Sequence, residues 1–440
     1  MRDSIRTINR SIARITFPAV ASNITVPLLG LCDTAISGHL GSADYLAAIA
    51  AGAMMLNVVY WIMGFLRMAT AGLTAEALGA HNRDAMARSL ERTLWLALLI
   101  GVVAVALRSP LSELLLGLLS PAENVKTLAG GYFMMCVWSA PAMLTVMGLS
   151  GWFIGMQNTL WPMVVSVTMN VVNVVLSLLA VAVWKMGFVG VAFGTVAATW
   201  LGAVMIVVAA LVYGRLRGIK IRLTRLSSLG RGSGMSRFLR TGGDLFLRSA
   251  CIMGVSMAVT AIGSRMGTMT LATNAVMMQF FVFFSYFMDG IAYSGEALCG
   301  RSVGERSVDS FNRVVKVLIG WGIVASTVFT LSYIVFGDNM VALLTDDAGV
   351  RMSVESMMIF VWLIPAAGGA AFLYDGFFIG LTATRRMFLT TLLSAGIFAM
   401  LVIILPSDNH SLWIAFLAYL LARGLGLAFQ LHTAASRRFS

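Results

Sequence analysis

Long apolar runs, separated by short charged or Gly- and Pro-containing breaks, dominate the pattern along the 440 residues. Each run is apolar on all sides and does not alternate between apolar and polar positions, so it predicts a helix and not a strand of a closed barrel. A helix needs about 20 apolar residues to cross a bilayer. The predicted spans are 15–38, 46–72, 91–107, 129–152, 161–183, 187–213, 236–262, 269–296, 314–336, 354–379, 387–405 and 411–431.

Composition supports the same class of protein. The chain is 59% hydrophobic and 11% charged, whereas a soluble domain carries about 25% charged residues. A soluble, disordered, coiled-coil or disulfide-scaffold protein is therefore excluded, and an all-α membrane protein with twelve transmembrane helices is predicted. The first span holds Asp33 and lacks a small-residue cleavage site, so we expect it to be retained and not removed as a signal peptide.

The net charge of +12 follows from membrane topology and gives no reason to expect a nucleic-acid partner. Alternate loops and the two tails carry 23 Lys and Arg residues, while the intervening loops carry 5. This asymmetry predicts that both termini are cytoplasmic. The 4 cysteines lie in apolar runs without a C-x-x-C spacing, so neither a metal nor another cofactor is expected.

The two halves of the chain resemble each other at an offset near 225 residues. Gly79 pairs with Gly304, Arg88 with Arg313, and the motif WFIG at 152–155 with FFIG at 377–380. Because six spans per repeat is an even number, the repeat is parallel. The sequence thus predicts an amino-terminal lobe at 1–213, a basic cytoplasmic linker at 214–235 and a carboxyl-terminal lobe at 236–440. Two lobes around a cavity are typical of an alternating-access carrier, more than of a channel or a membrane enzyme.

Ionisable residues at bilayer depth are costly and are therefore functional candidates. They are Asp33, Arg67, Arg248, Asp289, Asp375 and Arg423. Asp289 and Asp375 either pair with Arg67 or Arg248 as a structural link or bind a substrate cation. Met278 and Gln279 belong to a run rich in aromatic residues. One interpretation is that this run lines a cavity that accepts varied apolar ligands, and the other is that it faces lipid.

Span 1 combines an acid with two helix-bending residues. Pro18 and Pro27 interrupt the backbone hydrogen bonds of the helix that carries Asp33. A carboxylate removed from water can take up a proton on one side and release it on the other. The alternative is an acid neutralised by an arginine.

Span 5 carries two amides on one helix face, Asn170 and Asn173, because residues three apart are neighbours on a helix. Thr195 on span 6 can join the same network. The alternative interpretation is that these groups only hold neighbouring helices together.

The chain contains several short sequence motifs: FP at 17–18, SNITVPLLG at 22–30, DTA at 33–35, GHLG at 38–41, GLTAEALGA at 72–80 and LYDGFFIG at 373–380. With the span 5 asparagines, they resemble the multidrug and toxic compound extrusion (MATE) family, and within it the DNA-damage-inducible protein F (DinF) branch. The resemblance covers essentially the whole chain.

The resemblance implies a twelve-helix, two-lobe antiporter that expels amphipathic organic compounds in exchange for H⁺ or Na⁺. We expect the compounds to be cationic, and the protein to act as a monomer in the bacterial inner membrane. The resemblance also implies that Asp33 accepts the coupling ion, that span 1 bends at Pro18, and that Asn173 and Thr195 lie near the acid. Ser177 stands where the family often has a second aspartate, and span 7 lacks the glutamate of some sodium-coupled members. Because Na⁺ prefers several oxygen ligands, H⁺ coupling is favoured over Na⁺.

A lipid-linked oligosaccharide flippase of related architecture remains the main alternative, since intramembrane arginines suit a pyrophosphate. A major-facilitator carrier, a channel and a membrane enzyme are weaker alternatives.

Overall fold

The structure is a computed structural model that describes residues 5–38, 43–119, 123–221 and 234–439; the side chains at 26–35, 37–38, 43 and 124 are not included. Within these ranges the regular structure is helical, without a strand. Contacts divide the chain into an amino-terminal unit, residues 21–242, and a carboxyl-terminal unit, residues 1–20 with 243–440. The all-α prediction is confirmed.

The first nine helices run from the start of the described chain to the basic segment. They are α1 Ile5–Gly38, α2 Ala43–Ile62, α3 Phe65–Gly79, α4 Arg83–Ala106, α5 Arg108–Leu119, α6 Glu123–Cys136, α7 Ala140–Gly155, α8 Leu160–Ala182 and α9 Phe188–Leu216. A short 3₁₀ turn, Val137–Ser139, joins α6 to α7. The first part of α1, up to Val20, groups with the carboxyl-terminal unit.

The remaining helices form most of the carboxyl-terminal unit. They are α10 Met235–Arg265, α11 Thr268–Gly304, α12 Val308–Leu344, α13 Ala348–Ser356, α14 Met358–Gly380, α15 Thr384–Ile404 and α16 Asn409–Phe439. The part of α10 before Gly243 belongs to the amino-terminal unit.

Eleven helical segments of the described chain are long and apolar enough to cross a membrane. Each of them overlaps one of the predicted spans, and the remaining predicted span, 15–38, falls on α1. Large apolar side chains also face outward: Leu343 is 87% exposed and Phe429 is 82% exposed. An apolar surface of this kind is compatible with lipid and not with water.

The sequence missed several breaks and short helices. The predicted span 46–72 is interrupted after Ile62, where α2 ends and α3 begins. The amphipathic α13 and the short α5 were not predicted, because neither is long enough to cross a bilayer.

The start of α1 packs with the carboxyl-terminal half. Ile12, Ile15 and Val20 are buried, and the Thr16 and Ser294 hydroxyls are 2.9 Å apart in a buried hydrogen bond. The structural boundary therefore differs from the predicted lobes, which kept residues 1–213 together. The basic linker also lies partly outside the described residues, at 222–233.

The internal repeat is visible in the backbone at the predicted offset. His81 and Arg306 both have positive φ, 52° and 53°, and so do Gln157 and Thr382, 59° and 52°. Each residue follows a helix end and takes the left-handed conformation that terminates helices. Helix starts correspond too: the Asn82 side chain caps α4 at 2.9 Å, and the Ser307 hydroxyl caps α12 at 3.2 Å.

Close helix contacts repeat in the same register. A Cβ on Gly151 of α7 would overlap the backbone carbonyl of Arg67 on α3, and a Cβ on Gly376 of α14 would overlap that of Ala292 on α11. In membranes, small residues let helix backbones approach closely. The two glycines therefore fix the same helix pairing in both units.

Candidate functional site

A network of amides and hydroxyls joins the second half of α1 to α8. Asn170 Nδ2 donates to Thr25 Oγ1 at 2.9 Å, and Thr25 Oγ1 donates to the Ser22 carbonyl at 2.7 Å. The Ser166 hydroxyl lies 3.5 Å from Thr25 Oγ1. Asn170 is buried, so these bonds satisfy polar groups that are removed from lipid and water.

A second group of bonds joins α8 to α9. Asn173 Nδ2 donates to Thr195 Oγ1 at 3.2 Å, and the Ser177 hydroxyl lies 3.5 Å from Asn173 Oδ1. Thr195 Oγ1 also donates to the Val191 carbonyl at 3.1 Å. Close approach of Gly194 to Ser177 brings the two helices together. The structure thus brings together Asn173 and Thr195, as the sequence predicted; we name all these bonds the amide–hydroxyl network.

Asp33 and Pro27 lie on α1, but their side chains are outside the described residues. Pro18 is half-buried on the same helix. The helix is assigned continuously from Ile5 to Gly38, so both prolines lie inside it. Bending at Pro18 and Pro27 and ion coupling at Asp33 therefore stay predictions.

An ionic cluster joins three helices of the carboxyl-terminal unit. Asp375 Oδ2 on α14 accepts hydrogen bonds from Arg248 Nη2 on α10 and, at 2.8 Å, from Arg423 Nη2 on α16. All three side chains are buried, with exposed fractions of 9%, 6% and 2% respectively. We name these residues the arginine–aspartate cluster.

Arg423 makes further contacts inside the cluster. Its guanidinium carbon lies 5.4 Å from the Phe372 ring centroid, and Arg423 Nη1 lies 3.4 Å from the Tyr419 hydroxyl. Aromatic faces attract a guanidinium, and more strongly when it is desolvated. The apolar run around Arg423 marked it as costly, but only the fold shows that its carboxylate partner is Asp375.

Of the two interpretations of Asp375, the geometry shows the link to Arg248. For the other candidates the structure gives the degree of burial: Asp289 and Met278 are half-buried on α11, and Gln279 is exposed there. Arg67 is half-buried on α3 in the amino-terminal unit. Their roles stay predictions.

Two acids near helix ends form ion pairs with surface arginines. Asp244 Oδ2 accepts from the Thr384 hydroxyl at 3.1 Å, and Asp244 Oδ1 lies 3.5 Å from Arg385 Nη1. Glu76 accepts two hydrogen bonds from Arg237, at 3.2 and 2.6 Å. The second pair was not predicted, since its members are separated by most of the amino-terminal unit along the chain. Among the described side chains, no group of His, Cys, Asp and Glu could hold a metal ion.

The fold is all-helical, it buries polar groups on facing helices, and its sequence repeats internally with six spans in each half. This architecture is that of a polytopic membrane transporter. The family model for MatE matches residues 18–179 and again 245–405, one match in each half. The chain is 34% identical over 421 residues to DNA damage-inducible protein F of Escherichia coli K12, covering 96% of this chain and 91% of that protein. The chain belongs to the MATE family and is therefore a transporter and not an enzyme.

Two further comparisons agree. A probable multidrug resistance protein NorM of Acinetobacter baylyi is 25% identical over 388 residues, or 82% of each chain. The crystal structure of the Vibrio cholerae MATE transporter VcmN in its bent form superposes with a TM-score of 0.85 at 19% identity, covering 99% of this chain and 98% of that one. This last likeness establishes the fold.

Proposed function

We propose that this protein is a secondary active multidrug efflux antiporter that expels amphipathic, cationic organic compounds in exchange for H⁺ by alternating access. The single observation that carries the proposal is the amide–hydroxyl network, in which Asn173 and Thr195 meet in the same unit as the helix segment that bears Asp33. A drug-exporting role is supported by the name of the Acinetobacter baylyi relative, a probable multidrug resistance protein.

The mechanism begins with substrate bound while Asp33 is ionised. Protonation removes the charge of Asp33, and the network exchanges hydrogen-bond partners in response. Asn173 can do so because its amide both donates and accepts. Span 1 then bends near Pro18, and the substrate leaves. The binding site next opens to the other side of the membrane, and the proton is released there.

The energy of the proton gradient is sufficient for a modest substrate gradient. A membrane potential contributes about 2.3 kcal/mol per charge per 100 mV, and a pH difference contributes about 1.4 kcal/mol per unit. Na⁺ is the alternative coupling ion. No organic cofactor takes part in this scheme.

We propose the bacterial inner membrane as the location, with both termini in the cytoplasm and a monomer as the working form. The charge asymmetry of the loops, 23 basic residues against 5, supports this orientation.

The test is transport in liposomes made with the purified protein. A fluorescent amphipathic cation is followed while a pH gradient and a Na⁺ gradient are imposed separately. We expect the pH gradient to drive transport in the wild type and not in Asp33→Asn. The matched control is Asp338→Asn, the same substitution at an exposed position of α12, which should transport at the wild-type rate. Equal rates in wild type and Asp33→Asn would refute the mechanism.

A lipid-linked oligosaccharide flippase is the second candidate, because Arg248 and Arg423 are buried cations at bilayer depth. Both already bind the Asp375 carboxylate, which favours the antiporter. Transport of a fluorescent pyrophosphate-linked lipid, in the same liposomes and without an ion gradient, would instead support the flippase.

A further inference from the structure

Two helices of the chain begin in one structural unit and continue in the other. In α1, the residues up to Val20 belong to the carboxyl-terminal unit and those from Ala21 onward to the amino-terminal unit. In α10 the order is reversed, and the change lies between Gly242 and Gly243. At the 225-residue offset of the internal repeat, Gly243 corresponds to Pro18. The first helix of each repeat therefore crosses between the units at nearly the same position.

The start of α10 is held in the amino-terminal unit. Arg237 donates two hydrogen bonds to the Glu76 carboxylate of α3, at 3.2 and 2.6 Å, and the Phe238 side chain is completely buried. One turn further on, Gly242 lies so close to α3 that an added Cβ would be 2.9 Å from a ring carbon of Phe65. These contacts tie α10 to the amino-terminal unit as far as the first glycine of the pair.

Immediately after the glycine pair, α10 is held in the carboxyl-terminal unit. Asp244 Oδ2 accepts a hydrogen bond from the Thr384 hydroxyl of α15 at 3.1 Å, and Leu245 is buried. One turn further on, Arg248 binds the Asp375 carboxylate of α14. The helix therefore passes from anchors in one unit to anchors in the other within less than one turn.

The glycine pair is the weakest point of this helix, which is assigned continuously from Met235 to Arg265. Glycine has the lowest helix propensity of any residue except proline, and sharp bends in helices occur at prolines and at glycine pairs. Gly243 is exposed, and an added Cβ there would meet no atom of the described residues within 4 Å. Packing thus does not require a glycine at this position, and backbone freedom is what the glycine supplies.

The same arrangement occurs in α1 around Pro18. Before it, the Thr16 hydroxyl lies 2.9 Å from that of Ser294 on α11. After it, Thr25 Oγ1 accepts a hydrogen bond from Asn170 Nδ2 of α8 at 2.9 Å. Because proline removes a backbone hydrogen bond of the helix, each of the two crossings combines anchors on both sides with a residue that weakens the helix between them.

We propose that Gly243 is the hinge at which α10 bends when the two units exchange access. The proposal rests on the alternating-access function proposed above. A hinge absorbs the rotation of rigid bodies in a few backbone angles, so the ion pairs of Arg237 and Arg248 on either side stay formed during transport. Gly243 is therefore a positioning residue and not part of the substrate or ion site.

The test compares Gly243→Ala with the matched control Gly254→Ala. Gly254 lies on the same helix and is exposed, and an added Cβ there would also meet no described atom within 4 Å. Both substitutions favour a straight helix by the same intrinsic amount. Only Gly243 lies between the anchors of the two units, so only its substitution should affect their exchange.

Exchange is followed by single-molecule fluorescence energy transfer in liposomes, with dyes attached at Asp84→Cys and Asp309→Cys after the native cysteines are replaced by alanine. These exposed positions begin α4 and α12 and are repeat counterparts, one in each unit. We expect exchange to be about fivefold slower in Gly243→Ala than in the wild type and Gly254→Ala, because alanine resists bending by the difference in helix propensity. The maximal rate of pH-driven dye transport should fall by the same factor, with KM unchanged.

Equal exchange rates in the two glycine variants would overturn the proposal, as would a single, unchanging distance in the wild type under every gradient. The fluorescence measurement needs no transported compound, so it separates the hinge from the proposed function. Slower exchange in Gly243→Ala alone supports the hinge even if no dye is transported. Proton-driven transport at equal rates in both glycine variants would overturn the hinge and leave the proposed function standing.

Discussion

The two units share one helical frame but bury different polar chemistry within it. In the amino-terminal unit Asn173 and Thr195 are neutral and bind each other, whereas in the carboxyl-terminal unit Asp375 binds two arginines. At the 225-residue offset, Asn173 corresponds to Phe398, which is buried, and Asp375 corresponds to Ser150. The repeat therefore preserves the helix contacts and leaves the buried polar residues free to diverge.

The difference has an energetic consequence. Breaking a buried ion cluster leaves an uncompensated charge, at a cost of several kcal/mol. Exchanging one neutral hydrogen bond for another costs far less, and measured interhelical hydrogen bonds in membranes average about 0.6 kcal/mol. The amide–hydroxyl network thus suits a change of partners, and the arginine–aspartate cluster suits a fixed link between α10, α14 and α16.

The largest effect is expected from the arginine–aspartate cluster. Asp375→Asn leaves Arg248 and Arg423 without their carboxylate, and we expect a loss of about 3–5 kcal/mol in the free energy of unfolding. Denaturant unfolding in detergent, followed by tryptophan fluorescence, measures it. Asp338→Asn, at an exposed position, is the control and should change little. An unchanged unfolding midpoint for Asp375→Asn would show that the cluster is not a structural link.

A smaller effect is expected from the amide–hydroxyl network. A double-mutant cycle of Asn173→Ala and Thr195→Val isolates the hydrogen bond between the two side chains. We expect a coupling energy near 0.6 kcal/mol and below about 1.7 kcal/mol, measured by the same unfolding assay. A coupling energy as large as the loss in Asp375→Asn would remove the contrast between the two units.

The last comparison concerns two helix caps, one neutral and one ionic, and its expected effect is a change with pH. Asp408 Oδ1 accepts from the Ser411 backbone N–H at 2.7 Å, and this bond lowers the pKa of the Asp408 carboxyl. Because the pKa of Asp408 is lower in the folded state, its stabilisation is complete above the unfolded value of about 3.9. The contribution is lost as the pH falls through the lowered value.

Asp408→Ala should therefore lower the melting temperature at pH 7 and have progressively less effect below about pH 4. The control is Asn82→Ala in the amino-terminal unit, where a neutral amide caps α4. Its cost of about 1 kcal/mol should be the same at both pH values. An equal pH dependence of the two variants would contradict the assignment of the Asp408 cap as ionic.

The sequence indicated that Thr195 on span 6 can join the amides of span 5, because buried amides in an apolar helix need polar partners, and in the structure Asn173 donates to Thr195. The sequence also predicted that Asp375 could pair with Arg248. The additional partner, Arg423, was not predicted, because its distance from Asp375 depends on the packing of α14 against α16. The break between α2 and α3 was missed for a related reason, since the apolar run continues through it.

By itself, the sequence determined the class of protein and the membrane spans, because a helix that crosses lipid must be long and apolar. It also determined the internal repeat, because matching motifs recur at a nearly constant offset along the chain. Only the tertiary structure decided that the first part of α1 packs with the carboxyl-terminal unit, and that Arg248 and Arg423 bind the same carboxylate, Asp375. Such associations join residues far apart in the chain. They depend on the angles and depths at which helices pack, and local periodicity carries no information about either.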